Sequence, residues 1–180
     1  METSKLKTFA QNARRDLLTQ VASKLDMVLM PESAARRELP KVVAQLEKAI
    51  AKVGKETLID QVAYIWFNRF CALRFMDLND YNRIRVVSPS EGQIQPEILA
   101  EAKAGVIDDT LIDAQNSTKV LALLNGTLKS PDAQTEAYRV LIVSVCNAYY
   151  RLMPYLFERI EDYTELLMPD DLLSENSILA

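Results

Sequence analysis

The chain has 180 residues, 49% of them apolar and 26% charged, and a net charge of −4. A chain of this length buries on the order of 70% of its unfolded surface, so its core requires neither a disulfide framework nor a structural metal. Only four glycines are present, which argues against a fold of many tight hairpins, and the acidic balance shows that the whole is not a basic nucleic-acid binder by composition.

In chain order, the first element is a helix from about Ser4 to Met30, with Ser4 as its cap. Leu6, Phe9, Ala10, Ala13, Leu17, Val21, Leu25 and Val28 recur at three- and four-residue spacing and stripe one face, while Arg14, Arg15 and Lys24 project elsewhere. Pro31 stops it. A second helix centres on Lys41 to Val53, with Pro40 in its first turn and Gly54 as its stop. A third, about Lys55 to Leu78, is apolar nearly all round, which places it in the middle of a bundle. Residues 79–96 break the pattern and read as a loop with a short strand at Ile84–Val87. Short helices follow at Pro96–Ala104 and Ser117–Leu124, with Asp108, Asp109 and Asn116 as turn or cap residues and Asn125-Gly126 as a stop. The last long helix runs from about Asp132 to Phe157, again apolar all round, and Pro154 kinks or ends it. Residues 158–180 read as a connecting tail. Its last seven residues look like the start of a helix capped by Ser174 or Asn176, and breaking off there suggests a fragment of a longer protein.

These elements predict an all-α fold: one helical domain over 1–180, with two central apolar helices at about 55–78 and 132–157 and short accessory helices. Trp66, Phe67, Leu141 and Leu152 are its expected fully buried residues. Met1 to Ala13 is polar and amphipathic rather than a secretory leader, and no apolar run is long enough to span a membrane. The expected location is the cytoplasm. Cys71 and Cys146 then read as reduced, buried thiols rather than a bridge.

Charge is uneven along the chain. Residues 1–85 hold 15 Lys and Arg against 10 Asp and Glu, and residues 86–180 hold 6 against 15. Arg14, Arg15, Arg36, Arg37 and Lys41 are the candidate contacts to phosphate or to an acidic partner. Ordinary solvated helix faces produce the same pattern.

The chemistry of a complete active site is missing. With no histidine, Ser-His-Asp and Cys-His nucleophilic sites and His-ligated metals are excluded. Neither G-x-G-x-x-G nor a phosphate-binding P-loop occurs. Asp108, Asp109 and Asp113 cluster without calcium-loop spacing and read as a capping turn. Glu101-x-Lys103 lies on a predicted helix, not on the strand a nuclease motif requires, and Asp170-Asp171 reads as turn chemistry. Arg69 and Arg74, on the most apolar helix, need partners such as Asp60, Asp77 or an acid of the last helix. Tyr64, Trp66, Phe67, Tyr149 and Tyr150 are chemically able to stack on bases, but their spacing favours core packing. No catalytic, cofactor-binding or metal-binding residue is assigned.

The third helix carries a distinctive string, Val62-Ala63-Tyr64-Ile65-Trp66-Phe67-Asn68-Arg69-Phe70-Cys71-Ala72-Leu73-Arg74-Phe75-Met76-Asp77, followed by Tyr81. Pro96-Glu97-Ile98-Leu99, Arg151-Leu152-Met153-Pro154-Tyr155-Leu156-Phe157-Glu158 and Asp162-Tyr163-Thr164-Glu165-Leu166-Leu167-Met168-Pro169 follow in order. Together they resemble the N-terminal region of the BREX adenine-specific DNA methyltransferases, the PglX or phage growth limitation family. The likeness spans most of residues 5–180 and is least distinctive between Gly105 and Thr135.

The resemblance implies a larger parent enzyme that transfers a methyl group from S-adenosylmethionine to the exocyclic amine of adenine within an anti-phage defence system. Its implied partners are a downstream methyltransferase domain, DNA and other BREX proteins. That enzyme's glycine-bearing cofactor loop and Asn-Pro-Pro-aromatic motif have no counterpart here, so none of its catalytic residues carries over. The expected role is a non-catalytic segment that supports the catalytic domain or docks DNA and partners. The alternative expectation is a free-standing helical protein-interaction module.

Overall fold

The computed structural model describes residues 3–157, 162–174 and 177–179. Among them are eight helices and no strand, an all-α fold as expected. Two compact units are present: residues 1–68 with 161–170, and residues 69–160 with 171–180.

The first unit holds α1 (Thr3–Leu29), α2 (Ala34–Glu38), α3 (Pro40–Val53), the beginning of α4 (Lys55–Leu78) and α8 (Asp162–Leu166). The stripe of α1 is buried from Ala13 through Leu17, Val21 and Leu25 to Val28. Leu6 and Phe9, expected on the same stripe, are exposed because the helix overshoots the core by nearly three turns. Ser4 is not the cap. It lies inside the helix, and its carbonyl accepts the Thr8 hydroxyl at 3.0 Å. The turn after Pro31 is built by Ser33, which caps α2 by accepting the Arg36 N–H at 3.2 Å and donates its hydroxyl to the Val28 carbonyl at 2.7 Å. Pro40 opens α3 where no N–H is required, and Gly54 ends it at φ 88°, a left-handed conformation that costs other residues more.

Val43 and Leu46 of α3 join Leu58, Val62, Ala63 and Trp66 of α4 in this core, each large side chain contributing about 1.5–3 kcal/mol by leaving water. Trp66 is fully buried, and its indole N–H donates to the Thr164 carbonyl of α8 at 3.0 Å. Leu167 and Met168 are buried as well. Phe67 is only half-buried, and Tyr64 is exposed.

The second unit contains the rest of α4, α5 (Glu97–Lys103), α6 (Ala114–Leu124) and α7 (Ala133–Tyr150). α6 packs along α7, and α5 touches both. α7 is buried almost all round from Ala137 to Cys146, as its sequence predicts. It ends at Tyr150 rather than Phe157. Pro154 has no N–H for the Tyr150 carbonyl, and its ring clashes with that carbonyl. The chain instead turns, with the Met153 and Phe157 N–H groups donating to the Tyr149 and Met153 carbonyls. This corrects Leu152, which is 73% exposed rather than core, while Phe157 is buried with its ring 5.5 Å from that of Tyr149.

α6 starts three residues before its expected position because Asp113 caps it, accepting the Asn116 N–H and side-chain amide, both at 2.9 Å. Residues 84–87 form no strand. The amides of Val86 and Val87 are taken by one side chain and that of Arg85 by another, described below. The helix start expected over the last seven residues falls partly on residues outside the described set. Within it, Ser174 donates to Asp171, and Ser177 to Leu179 makes a turn.

Candidate interaction surfaces

The five basic residues singled out in the sequence all lie in the first unit, at two separate places. Arg14 and Arg15 are on the early part of α1, where Arg14 pairs with Asp60 of α4 at 2.6 Å and Arg15 reaches its neighbour Asp16 at 3.5 Å. Arg36 sits by the far end of the same helix. Its guanidinium donates to the Leu29 and Met30 carbonyls at 3.1–3.3 Å and pairs with Glu47 of α3 at 2.7 Å. A cation on the last carbonyls of a helix satisfies acceptors that have no intrahelical donor and opposes the negative end of the dipole. Arg36 is therefore a structural clamp. Arg37 and Lys41 are exposed. Fifteen residues of helix separate Arg14 from Leu29, about 22 Å at the helical rise, so the five do not form one patch. Lys24 and Lys55 are likewise matched, to Asp170 at 2.6 Å and to Asp26. Such exposed pairs are worth about 0–1 kcal/mol each. Of these pairs only Lys24–Asp170 draws on an acid outside residues 1–85, so most of the basic surplus of the first half remains.

The acidic candidates are turn residues, as expected. Asp108 accepts the Thr110 N–H and hydroxyl. The Thr110 hydroxyl bond, chiefly, with help from Arg83, holds its carboxyl below the usual range against the effect of burial. Asp132 caps α7 by accepting the Thr135 N–H at 3.1 Å, and its carboxyl is lowered too, chiefly by the Thr135 side chain and then by that N–H. Lys103 of the Glu101-x-Lys103 pair donates to Gln95 and Gln134 beside a cleft of about 570 Å³ lined also by Ala102, Leu121 and Leu124. Among the described residues, no group of three His, Cys, Asp or Glu is placed to hold a metal ion.

The most concentrated polar chemistry is in the second unit, around Asp77. Its carboxylate is 1% exposed and lies near the end of α4. It accepts the N–H groups of Val86, Val87 and Ser88 at 2.9, 2.8 and 2.9 Å, and the Asn82 side-chain amide. Three consecutive amides converging on one anion leave none for a strand ladder, which is why the Val-rich stretch 84–87 is not a strand.

The node extends further. The Tyr149 hydroxyl donates to Asn82, the Tyr138 hydroxyl to the Val86 carbonyl at 3.0 Å, and Arg74 to the Ser88 hydroxyl at 2.8 Å. Glu97 accepts the Arg85 N–H at 3.0 Å, fastening the start of α5 to the same loop. Burial, reinforced by the Asp77 charge, pushes the Tyr138 and Tyr149 phenols up and keeps them as donors. Asp77 and Asp60 are thus engaged otherwise than as partners of Arg74, which turns to Ser88. This is a lock that fixes a loop.

One surface was not anticipated. Cys71, expected to be buried, is exposed, as are Phe75 and Leu78 one and two turns further along α4. Cys146 is buried as expected, and burial pushes its thiol up to about 12. The available signal was the composition of α4 itself. A helix apolar on every side requires neighbours on every side, and the core of this unit covers one side.

The S-adenosylmethionine implied for the parent enzyme finds no cradle. Gly54, Gly92, Gly105 and Gly126 stand singly at turns, and among the described residues no strand precedes any of them to form a glycine loop. No step of methyl transfer is therefore assigned to these side chains. No helix among the described residues is long and apolar enough to cross a membrane.

No family model matches the chain. It is 36% identical over 138 residues to the adenine-specific methyltransferase BrxX of Escherichia coli O9:H4 (strain HS), an alignment that covers 75% of the chain and 11% of that protein. It is 28% identical over 200 residues to the adenine-specific methyltransferase PglX of Lacticaseibacillus casei (strain Zhang), covering 93% of the chain and 16% of that protein. The chain spans only that small share of each relative. Trp66, Asp77, Glu97 and Thr164, which lie in the strings quoted from the sequence, make the closing bonds described above: Trp66 to Thr164 in the first unit, and Asp77 to residues 82 and 86–88 with Glu97 to Arg85 in the second. The chain belongs to the BREX adenine-specific methyltransferase family of BrxX and PglX and corresponds to its N-terminal region.

Proposed function

We propose that this chain is a non-catalytic helical segment of an adenine-specific DNA methyltransferase, one that uses S-adenosylmethionine and serves anti-phage defence in the cytoplasm. Its work is to support the catalytic part and to present surfaces to DNA or partner proteins. The observation that carries this reading is a mismatch. The relatives are methyltransferases, yet the buried polar groups here serve to lock loops and helix ends, and the sequence contains neither a glycine-bearing cofactor loop nor an Asn-Pro-Pro-aromatic motif.

The test is an isotope assay with labelled S-adenosylmethionine and duplex DNA. The chain alone is expected to incorporate no label. Added to the part of E. coli BrxX that lies outside the matched segment, it is expected to raise incorporation. Label transferred by the chain alone overturns its non-catalytic character, and no effect on the BrxX part overturns its supporting role. DNA contact through exposed Arg37 and Lys41 predicts binding that falls steeply with salt. Binding that ignores salt removes those two residues from the proposal.

A further inference from the structure

We infer that the outer stripe of α4 in the second unit, Cys71, Phe75 and Leu78 together with Tyr81, is the surface on which the remainder of the methyltransferase docks. This rests on the reading above. Positions 71, 75 and 78 follow i, i+4, i+7 and share one helix face. Phe75, Leu78 and Tyr81 are 59%, 69% and 66% exposed. Scattered single apolar residues on a surface need no explanation, but a contiguous patch does.

The patch is also built. The helix ends in a tight turn in which the Asn79 N–H and side-chain amide both donate to the Phe75 carbonyl, and the Tyr81 N–H donates to the Met76 carbonyl at 2.9 Å. Asp80 takes a left-handed φ of 53°, uncommon for a residue with a side chain. That turn brings the Tyr81 ring edge-on to Phe75, with centroids 6.0 Å apart. Directly beneath, buried Asp77 anchors Asn82 and residues 86–88. The exposed rings therefore stand on a fixed base, and their ordering entropy is spent before any partner arrives.

Three features select the occupant. The rings meet at 70°, so they do not present a pair of parallel faces for successive bases. The nearby cations are engaged, Arg85 with Asp80 at 3.4 Å and Arg83 with Asp108 at 4.0 Å. Asp80, next to Tyr81 in the chain, and its partner Arg85 set both signs of charge beside an aromatic and aliphatic centre, the composition of a protein–protein hot spot. Finally, the relatives carry 84–89% of their length beyond what this chain covers, so a large protein body is available to cover the stripe.

The experiment measures binding of the full chain to the part of E. coli BrxX outside the matched segment, by titration calorimetry and by the rate of Cys71 alkylation. Phe75→Ser and Tyr81→Ser are each expected to weaken binding about tenfold or more, with unchanged melting temperature because both side chains are outside the core. The partner is expected to slow Cys71 labelling in the wild type by a similar factor. If the wild type binds but the variants bind equally well and Cys71 stays open, this inference falls while the supporting role stands. If the wild type does not bind, the supporting role falls and takes the inference with it. Loss of oligonucleotide binding, or of self-association in sedimentation, on the same substitutions would assign the stripe to nucleic acid or to a second copy and overturn the proposal.

Discussion

Replacing Asp77 by Asn tests the loop lock most directly. The side chain keeps its shape, but one acceptor oxygen becomes an amide donor. In the native arrangement one carboxylate oxygen accepts the Val86 N–H and Asn82, and the other accepts the Val87 and Ser88 N–H groups at 2.8 and 2.9 Å. An asparagine oxygen can replace only one of the two, leaving a pair of buried donors facing another donor. Each orphaned donor costs about 1–3 kcal/mol, so the substitution is expected to cost about 2–6 kcal/mol. Since the chain forms two compact units, global melting is a blunt readout, and amide hydrogen exchange at Val87 and Ser88 is the sharper one. A loss of 2 kcal/mol raises their exchange rates about 30-fold when exchange follows local opening. Exchange within about twofold of the wild type would show that the three amides are satisfied elsewhere and that Asp77 is not what holds residues 82–88.

Leu141→Ala, in the fully buried middle of α7, is expected to destabilise the second unit by about 2–5 kcal/mol in urea unfolding, whereas Leu152→Ala should fall within about 0.5 kcal/mol of the wild type. Asp132→Ala removes the cap of α7 and is expected to cost about 1 kcal/mol. The folded Asp132 carboxyl lies below its ordinary value of 3.8. Its contribution is therefore complete at neutral pH and is lost as pH falls below about 4. The gap between the melting curves of the two proteins should narrow as pH falls below about 4, and a gap that does not change on acidification would refute the assignment. In native protein at pH 8 a thiol reagent should modify Cys71 and spare Cys146, whose thiol is pushed up to about 12, with the second equivalent reacting only in denaturant.

What was readable in the sequence was whatever depends on local pattern. Proline and glycine set the bounds of α3, and the bounds of α4 matched its apolar run to the residue. Family membership lay in the strings of the third helix and the stretch 162–169. Unreadable were the outcomes that depend on which partner wins a group. Valines at 86 and 87 favour a strand, and a carboxylate nine and ten residues upstream takes their amides first. Leu152 kept helical spacing, but Pro154 ended the helix before that spacing could matter. For the basic residues, charge alone gives no sign that Arg36 is committed to the carbonyls of Leu29 and Met30 while Arg37, one position on, faces solvent. The outer face of α4 was legible as apolar, but its exposure follows from how few neighbours this unit supplies.

The bond from Trp66 to the Thr164 carbonyl joins residues 98 positions apart, and it sets an order of events during synthesis. A nascent polypeptide lengthens by roughly 5–20 residues per second, so about 5–20 s pass between the emergence of the tryptophan from the ribosome and that of its acceptor. Throughout that interval the indole lacks its cover, although every residue of α1, α2 and α3 is already available. A truncation anywhere before Thr164 leaves the same gap permanently, so a shortened chain that omits the 162–168 stretch should be recovered mainly in inclusion bodies or bound to chaperones.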